Sequence, residues 1–163
     1  MKNLFPLALT LLLFSCIKEP YEEPISGYEA VLMERSELEN SIRFDEPRKL
    51  NRAGKIYIKD NLLFINELFS GVHVYDNSDP TQPKVLGFIN IPGNVDISID
   101  GDIMYADNAV DLIALRFTGT QVEILDRNRN VFPELSPPDL PGYIPFQYTK
   151  GERPENTVIV RWD

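Results

Sequence analysis

The stretch KIYIKDNLLFI, residues 55–65, decides the fold class of this chain. Polar and apolar residues alternate from Lys55 to Lys59, which is the period of a β-strand with one buried face. Asp60 and Asn61 are typical of a tight turn, and a second apolar run follows them. The stretch therefore predicts a β-hairpin.

Two more strands are predicted after this hairpin, at 71–76 and 84–89, on either side of a turn-rich loop. The same order then recurs, with strands at 96–99, 103–106, 111–115 and 121–125 and a turn at 100–102. Ile58 and Ile99 lie 41 residues apart, and a four-stranded unit repeating every ~40 residues is typical of propeller blades. We predict an all-β fold of about two propeller-blade-like, four-stranded antiparallel units, an incomplete propeller, preceded by one short helix. A β-sandwich or an open two-sheet stack is the alternative.

The repeat region is flanked by a helical segment and a proline-rich tail. Leu38 and Ile42 have helical spacing within 34–44, and Ser36 with Glu39 has the pattern of a capping box. The predicted organisation is a signal peptide at 1–15, a flexible tether at 16–27, a short helical lead-in at 28–46, two β-repeat units at 47–130, and a Pro-rich tail with a terminal strand at 131–163.

The N-terminus has the pattern of an export signal. Lys2 precedes an apolar run at 4–14 that only Pro6 and Thr10 interrupt. This run is shorter than the roughly 20 residues that span a bilayer as a helix. Export followed by cleavage is therefore expected, rather than a permanent transmembrane anchor.

Leu13-Phe14-Ser15-Cys16 resembles the lipobox of bacterial lipoproteins, in which a Leu and a small residue precede a cysteine that is diacylated before cleavage. The resemblance implies that a lipid on Cys16 attaches the protein to a membrane, where two or more acyl chains hold firmly. An ordinary secretory signal with a chance cysteine is the alternative.

Lys18 and Glu19 follow the lipobox closely. A lysine and acidic residues just after the lipidated cysteine resemble the surface-export signal of Bacteroidetes lipoproteins. This resemblance implies a place in the outer membrane with exposure at the cell surface, and a solvated tether is the alternative.

Several segments of the β-region look like the LVIVD-repeat lipoproteins of Bacteroidetes: GVHVYD at 71–76, SDPTQP at 78–83, PGNVDI at 92–97, YAD at 105–107 and DL at 111–112. The resemblance runs from about residue 28 to about residue 133 and implies a propeller-like surface or secreted protein, without implying a reaction. Closing a propeller takes at least about four blades, whereas two are visible here. A shortened version of a longer propeller, or self-association through open sheet edges, is therefore expected.

Composition narrows the classes of function. The formal net charge of −9 argues against nucleic acid as a partner, because phosphate binding needs a basic face. A single cysteine and a single histidine restrict metal sites and catalytic triads, and the sequence contains no phosphate-binding loop, HExxH helix or GxSxG elbow. We expect a non-catalytic protein without a cofactor.

Acidic residues cluster around the second unit at Asp96, Asp100, Asp102, Asp107 and Asp111. Oxygen ligands at close spacing suit a hard cation such as calcium, and among these residues Asp100, Asp102 and Asp107 are the candidate metal ligands. Aspartates that form turns explain the same pattern.

Aromatic residues in the tail are candidates for a binding platform: Tyr143, Tyr148 and Trp162, together with Phe146. The alternative is that they seal the end of the second sheet. His73 alternates with two valines, so we expect it on a surface or an edge and assign it no role.

The expected function is that of a lipid-anchored envelope protein whose β-units bind a protein or glycan partner or join an envelope assembly. A metal-assisted hydrolase of the cell surface is one alternative, and a non-functional fragment of a longer propeller is another.

Overall fold

A computed structural model describes residues 23–163, and antiparallel β-strands are the main regular structure in this part of the chain. The strands are β1 Ala30–Glu34, β2 Arg43–Asp45, β3 Ala53–Lys59, β4 Leu62–Glu67, β5 Gly71–Asp76, β6 Lys84–Asn90, β7 Ile97–Asp100, β8 Ile103–Asn108, β9 Asp111–Phe117, β10 Val122–Asn128 and β11 Thr157–Trp162. Helix α1 is Arg35–Asn40, and a 3₁₀ turn is Phe146–Tyr148. The all-β class is confirmed.

Two sheets carry the repeat. The first sheet has the order β2-β6-β5-β4-β3, and the second has the order β10-β9-β8-β7. In each, four strands that follow one another along the chain are also neighbours in the sheet. This meander is the connection of a propeller blade, whereas immunoglobulin-type sandwiches use Greek-key connections.

The two sheets share their pairing register. The first hairpin of each unit closes with an equivalent pair, Lys59 opposite Leu62 and Asp100 opposite Ile103. Each unit also has a β-bulge between its third and fourth strands, where Leu86 and Leu125 are the extra residues. The units are therefore structural repeats as well as sequence repeats.

The main core lies between these sheets. Because side chains of a strand alternate between faces, one face of each sheet supplies the apolar residues. The first sheet contributes Phe64, Val72, Val74 and Ile89, and the second contributes Ile97, Met104, Ala106, Ile113 and Leu115.

The lead-in differs from the pattern-based expectation, whereas the tail ends in a strand as expected, β11. The helix is shorter than the predicted segment 34–44, and the capping box is wrong: Glu34 is the N-cap residue, no side chain caps the helix, and Ser36 lies inside it. The lead-in also supplies β1, which pairs with the terminal strand β11, and β2, which extends the first sheet. Their partners are distant in sequence, so local periodicity does not reveal them.

The signal peptide, the lipobox with Cys16, and Lys18 and Glu19 lie outside the described residues. Within residues 23–163, neither α1 nor the 3₁₀ turn could span a bilayer.

Candidate functional site

The loop between β6 and β7 ties the two sheets together. The N–H of Phe69 donates to the carbonyl of Asn94 at 2.6 Å, and the N–H of Gly93 donates back to the carbonyl of Phe69 at 3.0 Å. The side-chain amide of Asn66 donates to the carbonyl of Val95 at 2.7 Å. The PGNVD motif at 92–96 is therefore a clamp between the sheets.

Asp107 shapes this loop from β8. Its carboxylate accepts the backbone N–H groups of Val95 and Asp96 and the side-chain amide of the fully buried Asn94, each at 2.9 Å to Oδ1. Burial raises the pKa of the Asp107 carboxyl, and the backbone donors act against this rise. Its donors show that Asp107 is a structural acceptor.

The three candidate metal ligands do not converge. Asp100 and Asp102 lie at the β7–β8 turn, whereas Asp107 lies near the other end of β8, about 16 Å away at the rise of an extended strand. Arg116 Nε donates to Asp102 Oδ2 at 2.7 Å, and this hydrogen bond lowers the pKa of Asp102. No group of three or more His, Cys, Asp or Glu side chains in the part of the chain that the structure describes could hold a metal ion.

A second link joins the sheets at their first strands. Asp96 accepts hydrogen bonds from the hydroxyl of Tyr57, at 2.9 Å, and from Nζ of Lys55. Burial and the hydrogen bond to Asp96 both raise the pKa of Tyr57, so the phenol remains a donor.

The expectation for His73 is wrong, because its side chain is fully buried. The ring makes an edge contact with Phe88, and Nε2 lies 2.7 Å from Oε2 of Glu67. Arg48 covers these side chains: its guanidinium lies 3.6 Å from the ring centroid of Phe88 and donates a hydrogen bond to Glu67 Oε2 at 2.8 Å. Alternation places His73 opposite the valines, but the loop before β3 covers that part of the face.

Glu67 is the charged centre of this cluster. Burial acts to raise its pKa, but hydrogen bonds from Arg48, His73 and the N–H of Asn51 outweigh burial and lower the pKa to about 2. The carboxylate therefore stays ionised and serves as a structural acceptor. With His73 sealed from solvent, the pair has no access to a substrate.

A third ionic network joins the lead-in to the second sheet. The fully buried Asp111 accepts hydrogen bonds from Arg35 at 2.8 Å and from Arg127 at 2.7 Å. Glu39 bridges Arg35 and Arg129, and the hydrogen bond from Arg129 lowers the pKa of Glu39.

This network borders a polar cleft of about 740 Å³. Its charged lining residues are Glu34, Arg35, Glu39, Arg129, Lys150, Arg153 and Glu155. Both signs of charge are present in this lining.

A smaller cleft of about 370 Å³ opens between the sheets at their hairpin ends. Leu62, Phe64, Ile99, Met104 and Phe117 line it, with Lys59, Asp60 and Asp102 at the rim. Its volume and apolar walls are within the range of small-molecule sites.

The candidate aromatic platform is mostly used for packing. Trp162 is buried, its Nε1 donates to the carbonyl of Leu135 at 2.9 Å, and its ring meets Tyr148 edge-on. Tyr143 is half-buried and lies in the turn that follows Leu140. Trp162 thus joins β11 to the Pro-rich segment that precedes it.

The outer faces of the two sheets carry exposed apolar side chains that were not predicted from the sequence. On the first sheet, Ile56 is 62% exposed and Ile58 is 67% exposed, and Val85 is also exposed on β6. On the second sheet, Tyr105 is 37% exposed beside the exposed Phe132. The alternation from Lys55 to Lys59 indicates a buried face for Ile56 and Ile58, but in the structure Tyr57 packs against the core and the two isoleucines face outward.

Comparisons of the chain with family models, with curated proteins and with solved structures gave no match. The class that the structure defines is an all-β protein in which two four-stranded antiparallel units pack face to face.

Proposed function

We propose that this chain is a non-catalytic, lipid-anchored protein of the outer membrane, exposed at the cell surface, whose β-module binds a partner through the outer face of its first sheet. The observation that carries the binding role is the exposure of Ile56 and Ile58 on neighbouring outward positions of β3. Contiguous exposed apolar side chains on a soluble module mark a site of interaction.

The ionisable groups support a binding role over catalysis. Glu67, Asp107 and Asp111 are each engaged by donors that stabilise the fold. A catalytic acid or base needs access to a substrate, and these three carboxylates hold loops and neighbouring strands in place.

The membrane anchor rests on Leu13-Phe14-Ser15-Cys16. It is tested by growing cells with a clickable fatty acid and comparing the full chain with the Cys16→Ala variant. We expect label on the wild type, no label on the variant, and degradation of the wild type by protease added to intact cells. An unlabelled wild type would contradict the anchor, and protection from protease would contradict surface exposure.

The binding role is tested in the same cells with a photo-cross-linking phenylalanine analogue. The analogue is placed at position 58 of the full chain, and at position 146 as a control. Phe146 is also an exposed apolar residue, at 53%, but it lies in the tail. We expect a cross-linked product from position 58 and none from position 146. If neither position gives a product, the outer face of the first sheet binds nothing and the proposal is wrong.

A further inference from the structure

Each sheet has a core face and an outer face. By position in the repeat, the outer face of the first sheet corresponds to the core face of the second sheet, and the outer face of the second sheet corresponds to the core face of the first. The shared hairpin register places Lys59 and Asp100 at equivalent positions. Consequently Ile56 and Ile58 of β3 correspond to Ile97 and Ile99 of β7. Ile97 is 3% exposed in the core, whereas its equivalent Ile56 faces solvent.

The equivalence extends over the outer face of the first sheet. Its outward residues Ile56, Ile58, Leu63, Ile65 and Tyr75 correspond to Ile97, Ile99, Met104, Ala106 and Leu115. All five of the second set pack in the core between the sheets. The outer face of the first sheet is therefore apolar like the core face of the second sheet, which is buried between the sheets.

The second sheet carries the complementary face. Its outward residues Ile103, Tyr105, Leu112 and Ala114 correspond to Leu62, Phe64, Val72 and Val74. Those four residues supply the first sheet's side of the core. Tyr105, Leu112 and Phe132 also line a shallow depression of about 280 Å³, which offers room for protruding isoleucines.

We propose that the partner is a second copy of this chain: the outer face of the second sheet in one copy packs on the outer face of the first sheet in the next. This inference rests on the proposed function, because it uses the same face of the first sheet. The contact repeats between copies the packing that already joins the two sheets within one copy.

The geometry of such a contact is head to tail. The two surfaces are different, so an open assembly keeps one free face of each kind at its two ends. A ring closes when these two faces meet, and without closure the copies form a filament. The cluster of Glu67, His73 and Arg48 already covers one part of the first sheet's outer face. The contact is therefore centred on Ile58, Leu63 and Tyr75, towards the β3–β4 hairpin.

The test uses the full chain with the photo-cross-linking analogue at position 58, followed by digestion and mass spectrometry of the product. We expect a product of two chains in which position 58 is joined to a residue within 103–114. A bond from position 58 to the first sheet of another copy would indicate two-fold pairing and overturn the head-to-tail arrangement. A bond to residues 17–22 of the same chain would show that the chain's own N-terminal segment covers the face, and it would overturn the second copy as partner.

A product with a different envelope protein would also overturn the second copy as partner, while the proposed binding function would stand. If position 58 gives no product at all, both proposals fail. The two failures are thus distinguishable in a single experiment.

Variants on the opposite face complete the test. Tyr105→Lys places a charge on the second sheet, and we expect at least a ~10-fold fall in the yield of the two-chain product. Phe146→Lys is the matched control and should leave the yield unchanged. Circular dichroism of both variants checks that they fold. An unchanged yield in folded Tyr105→Lys would overturn the proposal.

Discussion

Nε2 of His73 lies 2.7 Å from Oε2 of Glu67, and both side chains are buried on the outer side of the first sheet. Arg48 donates to the same oxygen at 2.8 Å, and the N–H of Asn51 donates to the other at 3.2 Å. A buried carboxylate is tolerated only with such donors. One carboxylate therefore holds the loop before β3 against the sheet.

Glu67→Gln should lower the free energy of unfolding by about 2 kcal/mol. A neutral amide accepts a weaker hydrogen bond from Arg48 than a carboxylate does, and its NH₂ group would face one of the N–H donors that now point at Glu67. Urea unfolding followed by tryptophan fluorescence measures the change. Glu123→Gln is the control, since Glu123 contacts Arg116 on an exposed surface. The structural role of Glu67 is wrong if the two variants unfold at the same urea concentration.

The stabilising effect of Glu67 should depend on pH. Its pKa is about 2 in the folded chain and 4.5 without the fold's donors, so ionisation stabilises the fold above pH 4.5. This contribution is lost as the pH falls from 4.5 towards 2. We expect the difference in unfolding free energy between wild type and Glu67→Gln to be constant from pH 7 to pH 5 and to shrink below pH 4.5. A difference that stays constant down to pH 2.5 would contradict the lowered pKa.

The strands of the repeat were predictable because their signal is local. Gly71–Asp76 has polar and apolar residues with a period of two and a turn-rich loop after it, and the structure gives this strand the predicted bounds. The same pattern recurs after about 40 residues, and this recurrence predicted the strands of the second sheet. Alternation and turn chemistry are properties of neighbouring residues, so one sequence suffices to read them.

What escaped prediction depends on distant residues. β1 forms because Ala30 and its neighbours pair with β11, where Ala30 lies opposite Trp162. The burial of His73 depends in the same way on Arg48, which covers the sheet from a loop.

The candidate site was predicted less well, because residue type alone does not give orientation. Asp107 was a reasonable metal ligand by type, but its oxygens face the backbone N–H groups of Val95 and Asp96. Trp162 was a reasonable binding residue, but its indole N–H donates to a carbonyl in the tail. The pattern of residue types does not show which acceptors and donors are already used.

Calcium should leave the stability of the module unchanged. Asp102 is engaged by Arg116 and Asp107 by backbone donors, so the two aspartates offer no shared set of oxygen ligands. Thermal unfolding of chelator-treated full-length protein with and without millimolar calcium measures this. A ligand that binds the folded state at 100 times its Kd stabilises by about 2.7 kcal/mol, which raises the Tm by several degrees. A rise of that size would show that calcium binds the folded module and would contradict this prediction.

Gly93 should be the glycine on which the inter-sheet clamp depends most. It has a φ of +75°, and a Cβ at this position would lie 2.7 Å from the backbone nitrogen of Ala109. Gly101 has a φ of +59° in the β7–β8 turn, but a Cβ there would meet no atom within 4 Å. The two positions share the left-handed backbone and differ in the space around it, so Gly101→Ala is a matched control for Gly93→Ala.

Both substitutions should lower the free energy of unfolding, since alanine in the left-handed region costs about 1 kcal/mol. Gly93→Ala should cost at least about 2 kcal/mol more than Gly101→Ala, because the loop must move away from Ala109 and stretch the hydrogen bonds that Gly93 and Asn94 make with Phe69. Urea unfolding of both variants gives the difference. Equal losses in unfolding free energy would mean that the loop moves away from Ala109 at no cost in stability. The loop would then not be what fixes the packing of the two sheets.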